Sequence, residues 1–189
     1  MVAAAATGGR VTVNSLIPKH VETITTKLRE IGVSVEEIDN GVCVSGNREY
    51  KNTNIQTLPY PGFATDMHPQ FAALLATSDG ISSIAETIWQ NRFRYVDELT
   101  KMGACISVDG RHATIMGKDH LTGAPVNAVD LRAGAALVIA GLAAEGTTEI
   151  SGVETIERGY YDIVGKLRGV GADISIREYP DADATLMAN

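Results

Sequence analysis

The sequence predicts an α/β fold in which one structural unit is used three times. Three observations carry that expectation. Lys27-Leu28-Arg29-Glu30-Ile31-Gly32, Leu99-Thr100-Lys101-Met102-Gly103-Ala104 and Lys166-Leu167-Arg168-Gly169-Val170-Gly171 share one helix-ending pattern, with Gly32, Gly103 and Gly171 spaced 71 and 68 residues apart. Alternating strand-like segments stand on both sides of each. An acid also precedes a helix-sized apolar segment twice, as Asp66 before residues 71–76 and Asp130 before residues 135–140, 64 residues apart.

Taken in chain order, Met1 to Ala6 corresponds to the middle of the helix that Asp130 opens. Arg10-Val11-Thr12-Val13 reads as a strand, and Ile24, Leu28 and Ile31 form the apolar stripe of the first glycine-ended helix. Val33-Ser34-Val35 follows as a strand, with a hairpin signal at Asp39-Asn40-Gly41. The second copy supplies the Asp66-led helix, a strand at residues 80–84, a helix striped by Tyr95, Leu99 and Met102, a strand at residues 105–108 and a turn at Asp109-Gly110. The third supplies the Asp130-led helix, a strand at residues 147–150, a helix striped by Ile163, Leu167 and Val170, and a strand at residues 174–176. Glycine suits the left-handed position that ends each helix. The unit is therefore strand, helix, strand, strand and acid-led helix. Such units bury their faces against neighbouring copies, either with sheets outside and helices within or the converse.

The first copy starts in mid-helix at Met1, which predicts a portion of a longer protein. One domain is expected over residues 1–178, with quasi-repeats at about 1–63, 64–127 and 128–178. Residues 179–189, beginning Tyr179-Pro180-Asp181, read as a frayed or disordered tail.

With 189 residues the chain can bury a substantial core. A net charge of −7 argues against a general nucleic-acid or membrane-surface binder, so an anionic ligand must be held by local cations. No apolar run reaches membrane-spanning length. Cys43 and Cys105 lack metal-type spacing and lie in strand-like segments, so both read as buried structural thiols. The missing disulfide framework points to a reducing cytoplasm.

The candidate chemistry rests on acids and arginines. Asp66 and Asp130 stand at helix starts, where a carboxylate can satisfy free backbone N–H groups, or can serve as a base if it also faces a cleft. Arg92 and Arg158 form a matched pair 66 residues apart, each between a strand and a glycine-ended helix. An arginine at a helix start is unfavourable unless an anion sits there too, which suggests carboxylate or phosphate binding. The first copy has Ile17-Pro18-Lys19-His20 instead, so the fold does not require that arginine. Arg132 adds a third guanidinium. Ile88 and Trp89 read as packing residues that could also wall a sugar or base. His20, His68, His112 and His120 show no ligand spacing and read as surface or loop residues. No phosphate-cradling glycine loop or nucleophile elbow is present.

Four strings occur in order: Pro61-Gly62-Phe63-Ala64-Thr65-Asp66-Met67, Glu86-Thr87-Ile88-Trp89-Gln90-Asn91-Arg92-Phe93, Asp130-Leu131-Arg132-Ala133 and Glu157-Arg158-Gly159-Tyr160. Together they resemble the UDP-N-acetylglucosamine 1-carboxyvinyltransferase (MurA) family of enolpyruvyl transferases, from residue 1 to about residue 178. The resemblance implies one domain of an inside-out α/β barrel, with three βαβαββ-like units around inner helices. It implies transfer of enolpyruvyl from phosphoenolpyruvate to the 3-hydroxyl of UDP-N-acetylglucosamine, the first committed step of peptidoglycan synthesis. No metal or other cofactor is implied.

By that resemblance Asp66 is the base at the sugar hydroxyl and Asp130 stands near the reacting carbon. Ile88 contacts the nucleotide sugar, Arg92 and Arg132 bind the phosphoenolpyruvate moiety, and Arg158 stands on the cleft wall for that anion. The family's other, N-terminal-side domain contributes a lysine, an arginine and a cysteine-bearing loop that have no counterpart here, so the chain alone is expected to be inactive or nearly so. Ala64 replaces a usual proline, and His68-Pro69 varies the local sequence. The alternatives are the related transferase acting on shikimate 3-phosphate and a non-catalytic binding module.

Overall fold

The computed structural model describes residues 1–179 and 182–189, with side chains outside 178–184. It opens with helix α1 (Val2–Thr7), strand β1 (Arg10–Asn14), helix α2 (Glu22–Glu30) and strands β2 (Ser34–Ile38) and β3 (Gly41–Ser45). The next stretch holds β4 (Asn54–Gln56), α3 (His68–Leu75), β5 (Ile81–Ala85), α4 (Tyr95–Lys101), β6 (Cys105–Asp109) and β7 (His112–Met116). The last holds β8 (Pro125–Asn127), α5 (Leu131–Ala143), β9 (Thr148–Ser151), α6 (Val153–Glu157), α7 (Ile163–Gly169), β10 (Ile174–Tyr179) and β11 (Ala182–Ala188).

Among the described residues the strands form three sheets, in the orders β1-β3-β2, β4-β5-β7-β6 and β8-β9-β11-β10. The second and third have the same topology. In each a short first strand runs parallel to its neighbour, with Gln56 opposite Ala85 and Asn127 opposite Ser151, and every other pair is antiparallel. Periodicity misses β4 and β8 because three residues are too few to show alternation. They complete the βαβαββ unit.

Burial decides what the pattern leaves open. All eight residues of α3 are buried, as are most of α5 and four of the six in α1. These helices pack against one another within a buried core that includes Phe71, Leu74, Leu137 and alanines of α1, so α1 and the helices that follow the short parallel strands lie inside. The sheets cover them, and strands such as β5 and β7 alternate, with Ser82, Ile84, Ala113 and Ile115 turned inward. One cluster of buried apolar side chains runs from Val2 to Ala188.

The three glycines end their helices as expected, at φ 103° for Gly32, 90° for Gly103 and 97° for Gly171. Each helix closes the same way: Val33, Ala104 and Ala172 donate backbone N–H bonds of 2.9–3.1 Å to Leu28, Leu99 and Leu167. Both hairpins also form where the turn signals lie.

Two expectations about the strands fail. Residues 179–189 do not form a frayed tail: Ala182–Ala188 is β11, inserted between β10 and β9, with Leu186 opposite both Ile176 and Ile150. Thr185, Leu186, Met187 and Ala188 are buried, so the strand is held by burial that its acidic, alanine-rich start hides; Pro180 and Asp181 lie outside the described residues. The second failure is Cys105. Cys43 is buried in β3, where its Sγ accepts a 3.3 Å hydrogen bond from Arg10 Nε, but Cys105 is exposed because β6 is the edge strand of its sheet.

Candidate active site

Three sequence-predicted residues converge, although they come from three different elements. Asp66 sits in the 3-10 turn Thr65–Met67 that leads into α3. Its Oδ1 accepts from Arg92 Nη2 at 2.5 Å and its Oδ2 from Arg132 Nη2 at 2.8 Å. Arg92 lies in the turn before α4, and Arg132 in the first turn of α5. One carboxylate therefore ties the second unit to the third. The Asp66 side chain is 46% exposed, so the cluster faces outward.

Asp66 and Asp130, alike in sequence, differ in structure. Asp130 is a helix N-cap: its Oδ1 accepts from the backbone N–H groups of Arg132 at 2.9 Å and Ala133 at 2.8 Å. Among the described residues Asp66 caps no helix, and its oxygens are directed at guanidiniums. Ala64, just before it, holds φ −66°, the angle a proline ring would impose, so its loss of the ring leaves the turn's geometry in place.

Arg158 stands apart from the cluster. It is the exposed C-cap of α6, and among the described residues its guanidinium has no hydrogen-bond or ion-pair partner. The expectation of an arginine at a helix start is corrected here: a cation at a helix C-terminus is electrostatically favourable and by itself needs no anion. Ile88 is half-buried in the loop after β5.

Sequence reasoning missed four neighbours. The Tyr160 hydroxyl accepts from Arg132 Nη1 at 3.0 Å and from Gln70 Nε2 at 3.1 Å, and Arg132 also stacks 5.5 Å from the Tyr160 ring centre. Tyr160 adjoins Arg158 in sequence and could have been flagged from that; Gln70 gives no local signal.

His68 and Glu86 are the other two. His68 is wholly buried, contrary to the surface reading, because Pro69 and the apolar residues after it carry it into the core as the first residue of α3. Its Nδ1 is 3.1 Å from the Tyr95 hydroxyl, and its Nε2 lies 3.3 Å from Glu86 Oε2 without hydrogen-bond geometry. Burial lowers the His68 pKa to about 4, against the opposing pull of Glu86. The ring is neutral near pH 7. Burial pushes the Glu86 carboxyl up, but hydrogen bonds from Thr65, Trp89, Ile88 and Thr57 overcome it and hold the group below the ordinary carboxylate range.

Chemically, the cluster offers a carboxylate base beside two guanidiniums. Among the described residues Arg92 Nε, beside Asp66, and Gln70 Oε1, beside Tyr160, are buried without a partner, so polar capacity remains in the cluster.

Residues 1–167 match the family described as EPSP synthase (3-phosphoshikimate 1-carboxyvinyltransferase). The chain is 58% identical over 179 residues to UDP-N-acetylglucosamine 1-carboxyvinyltransferase 3 of Caldanaerobacter subterraneus subsp. tengcongensis, covering 94% of this chain and 43% of that protein. It is 56% identical over 174 residues to UDP-N-acetylglucosamine 1-carboxyvinyltransferase of Clostridium botulinum, covering 92% and 42%. The chain thus spans about two-fifths of the length of these curated relatives. Among solved structures, the enolpyruvyl transferase NikO from Streptomyces tendae superposes with a TM-score of 0.80 at 26% identity, over 91% of this chain and 42% of that one. EPSP synthase from Acinetobacter baumannii superposes at 0.68 with 18% identity, over 99% and 44%, and shares the fold.

Proposed function

Since the chain belongs to the EPSP synthase (3-phosphoshikimate 1-carboxyvinyltransferase) family, we propose that it is the substrate-binding part of a transferase that moves enolpyruvyl from phosphoenolpyruvate to the 3-hydroxyl of UDP-N-acetylglucosamine. The observation that carries this reading is the convergence of Asp66 with Arg92 and Arg132. The sugar nucleotide is preferred over shikimate 3-phosphate because relatives at 56–58% identity carry its name, whereas the EPSP synthase likeness is at 18%.

In this reading the phosphoenolpyruvate anion takes the guanidiniums of Arg92 and Arg132, with exposed Arg158 at the edge of the same site. Their departure frees Asp66 to accept the proton of the sugar hydroxyl as its oxygen bonds to C2 of the enolpyruvyl group. A proton joins C3; loss of phosphate and of a C3 proton then restores the double bond. Arginines aimed at the phosphate stabilise the charge that develops as it leaves. Asp130, fixed as a cap at the start of α5, presents its remaining oxygen near the reacting carbon. Ile88 supplies the apolar contact to the sugar nucleotide. The rest of the cleft comes from a second domain, which accords with the length of the relatives that this chain does not span. Two free thiols suit a reducing cytoplasm.

The test mixes the chain with both substrates and measures phosphate release. Little or none is expected from the chain alone. Turnover should appear when the unmatched N-terminal-side portion of a relative is added, and Asp66→Asn should lower it by about a hundredfold or more. Full turnover by the chain alone would sink the claim of a shared cleft. Absence of both sugar-nucleotide binding and complementation would sink the functional reading.

A further inference from the structure

We propose that Glu86 is a positioning residue, which locks the loop of residues 88–92 against the acid-bearing turn Thr65–Met67. It rests on the functional reading only in taking Ile88 and Asp66 as substrate contacts. Glu86 follows directly on β5 and is buried, yet no step of the proposed reaction uses it. Its Oε1 accepts the backbone N–H groups of Ile88 at 2.7 Å and Trp89 at 2.9 Å. Its Oε2 accepts the Thr65 hydroxyl at 2.7 Å. One carboxylate thus reaches both segments: the residue before Asp66 on one side, and the loop that carries Ile88 and Arg92 on the other.

The fold does not demand this group. Register makes Glu86 and Gly152 equivalent, since Ala85 and Ser151, each opposite the short parallel strand, precede them. The third unit turns the same corner with Gly152 at φ 76° and no carboxylate. Nor is Glu86 held as half of a buried ion pair. Neutral His68 lies beside it, and its bonded donors are threonine hydroxyls and backbone amides. Such charge-assisted bonds are about twice as strong as neutral ones, which suits a clamp in a loop that is otherwise exposed at Trp89.

The experiment compares Glu86→Ala and Glu86→Gln with the unsubstituted chain. Amide hydrogen exchange is followed by NMR, and UDP-N-acetylglucosamine affinity by titration. With alanine, the Ile88 and Trp89 amides should exchange about tenfold faster or more while amides within β5 and β7 keep their protection. The dissociation constant should rise by a similar factor. Glutamine, which keeps an acceptor oxygen but no charge, should give an intermediate effect, and it decides the matter if the alanine variant does not fold. Unchanged exchange at Ile88 and Trp89, or uniformly faster exchange through the sheet, overturns the proposal. So does a selective change in exchange with unaltered affinity. If the unsubstituted chain binds no sugar nucleotide, the functional reading fails, and exchange at Ile88 and Trp89 alone still decides whether Glu86 clamps the loop.

Discussion

At the scale of single residues, identical side chains acquire different work from their surroundings. His68 shows this most sharply, because its ring is wholly buried where the other three histidines are exposed. Its folded pKa of about 4 lies below the ordinary 6.5, so between these values the unfolded chain binds a proton that the folded chain does not. Stability therefore falls as pH drops from about 6.5 towards 4, by about 3 kcal/mol in all for this residue. Below the ordinary carboxylate range Glu86 adds a loss of the same sign, since its folded pKa is also depressed. Urea denaturation across pH 4 to 7 checks the first window: His68→Gln should flatten it while leaving the more acidic loss in place. The sequence offered no route to His68, since nothing in its spacing distinguishes a core histidine from a loop one. The arginines were legible by contrast, because repetition at a position the first copy leaves otherwise occupied singled out Arg92.

At the scale of elements, the acid-led helix start combines two separable roles. Asp130 caps α5 through two backbone N–H groups, while Asp66 leaves the start of α3 uncapped and binds arginines. Asparagine caps about as well as aspartate, so Asp130→Asn should change stability by only a few tenths of a kcal/mol, whereas Asp130→Ala should lose about 1 kcal/mol. Thermal denaturation of both variants, alongside turnover in the complemented enzyme, separates capping from chemistry. If Asp130 contributes only a cap, the asparagine variant retains full turnover. Sequence could place both acids before helices, but the first turn of a helix is short and the direction of a carboxylate there depends on partners from other elements. Arg92 and Arg132, which turn Asp66 away from capping, are 26 and 66 residues distant.

At the scale of the whole molecule, three sheets close around three inner helices, and the third sheet depends on the final strand. β11 lies between β9 and β10, so its loss would separate them. Leu186→Ala, at a wholly buried position facing Ile150 and Ile176, should destabilise the chain by about 2–5 kcal/mol. A shift in the urea midpoint measures it; a neutral result would mean that β11 does not seal the core in solution.

The sequence by itself determined the repeat, the glycine-ended helices, the hairpins and the family. These depend on local periodicity, turn chemistry and short strings whose meaning does not require knowing what lies opposite. Only the tertiary structure decided which helices lie inside, that β4, β8 and β11 are strands, and which acid faces arginine. Those outcomes depend on contacts between distant segments. A three-residue strand or a buried histidine carries no pattern of its own, and its state is set by the neighbours that fold against it.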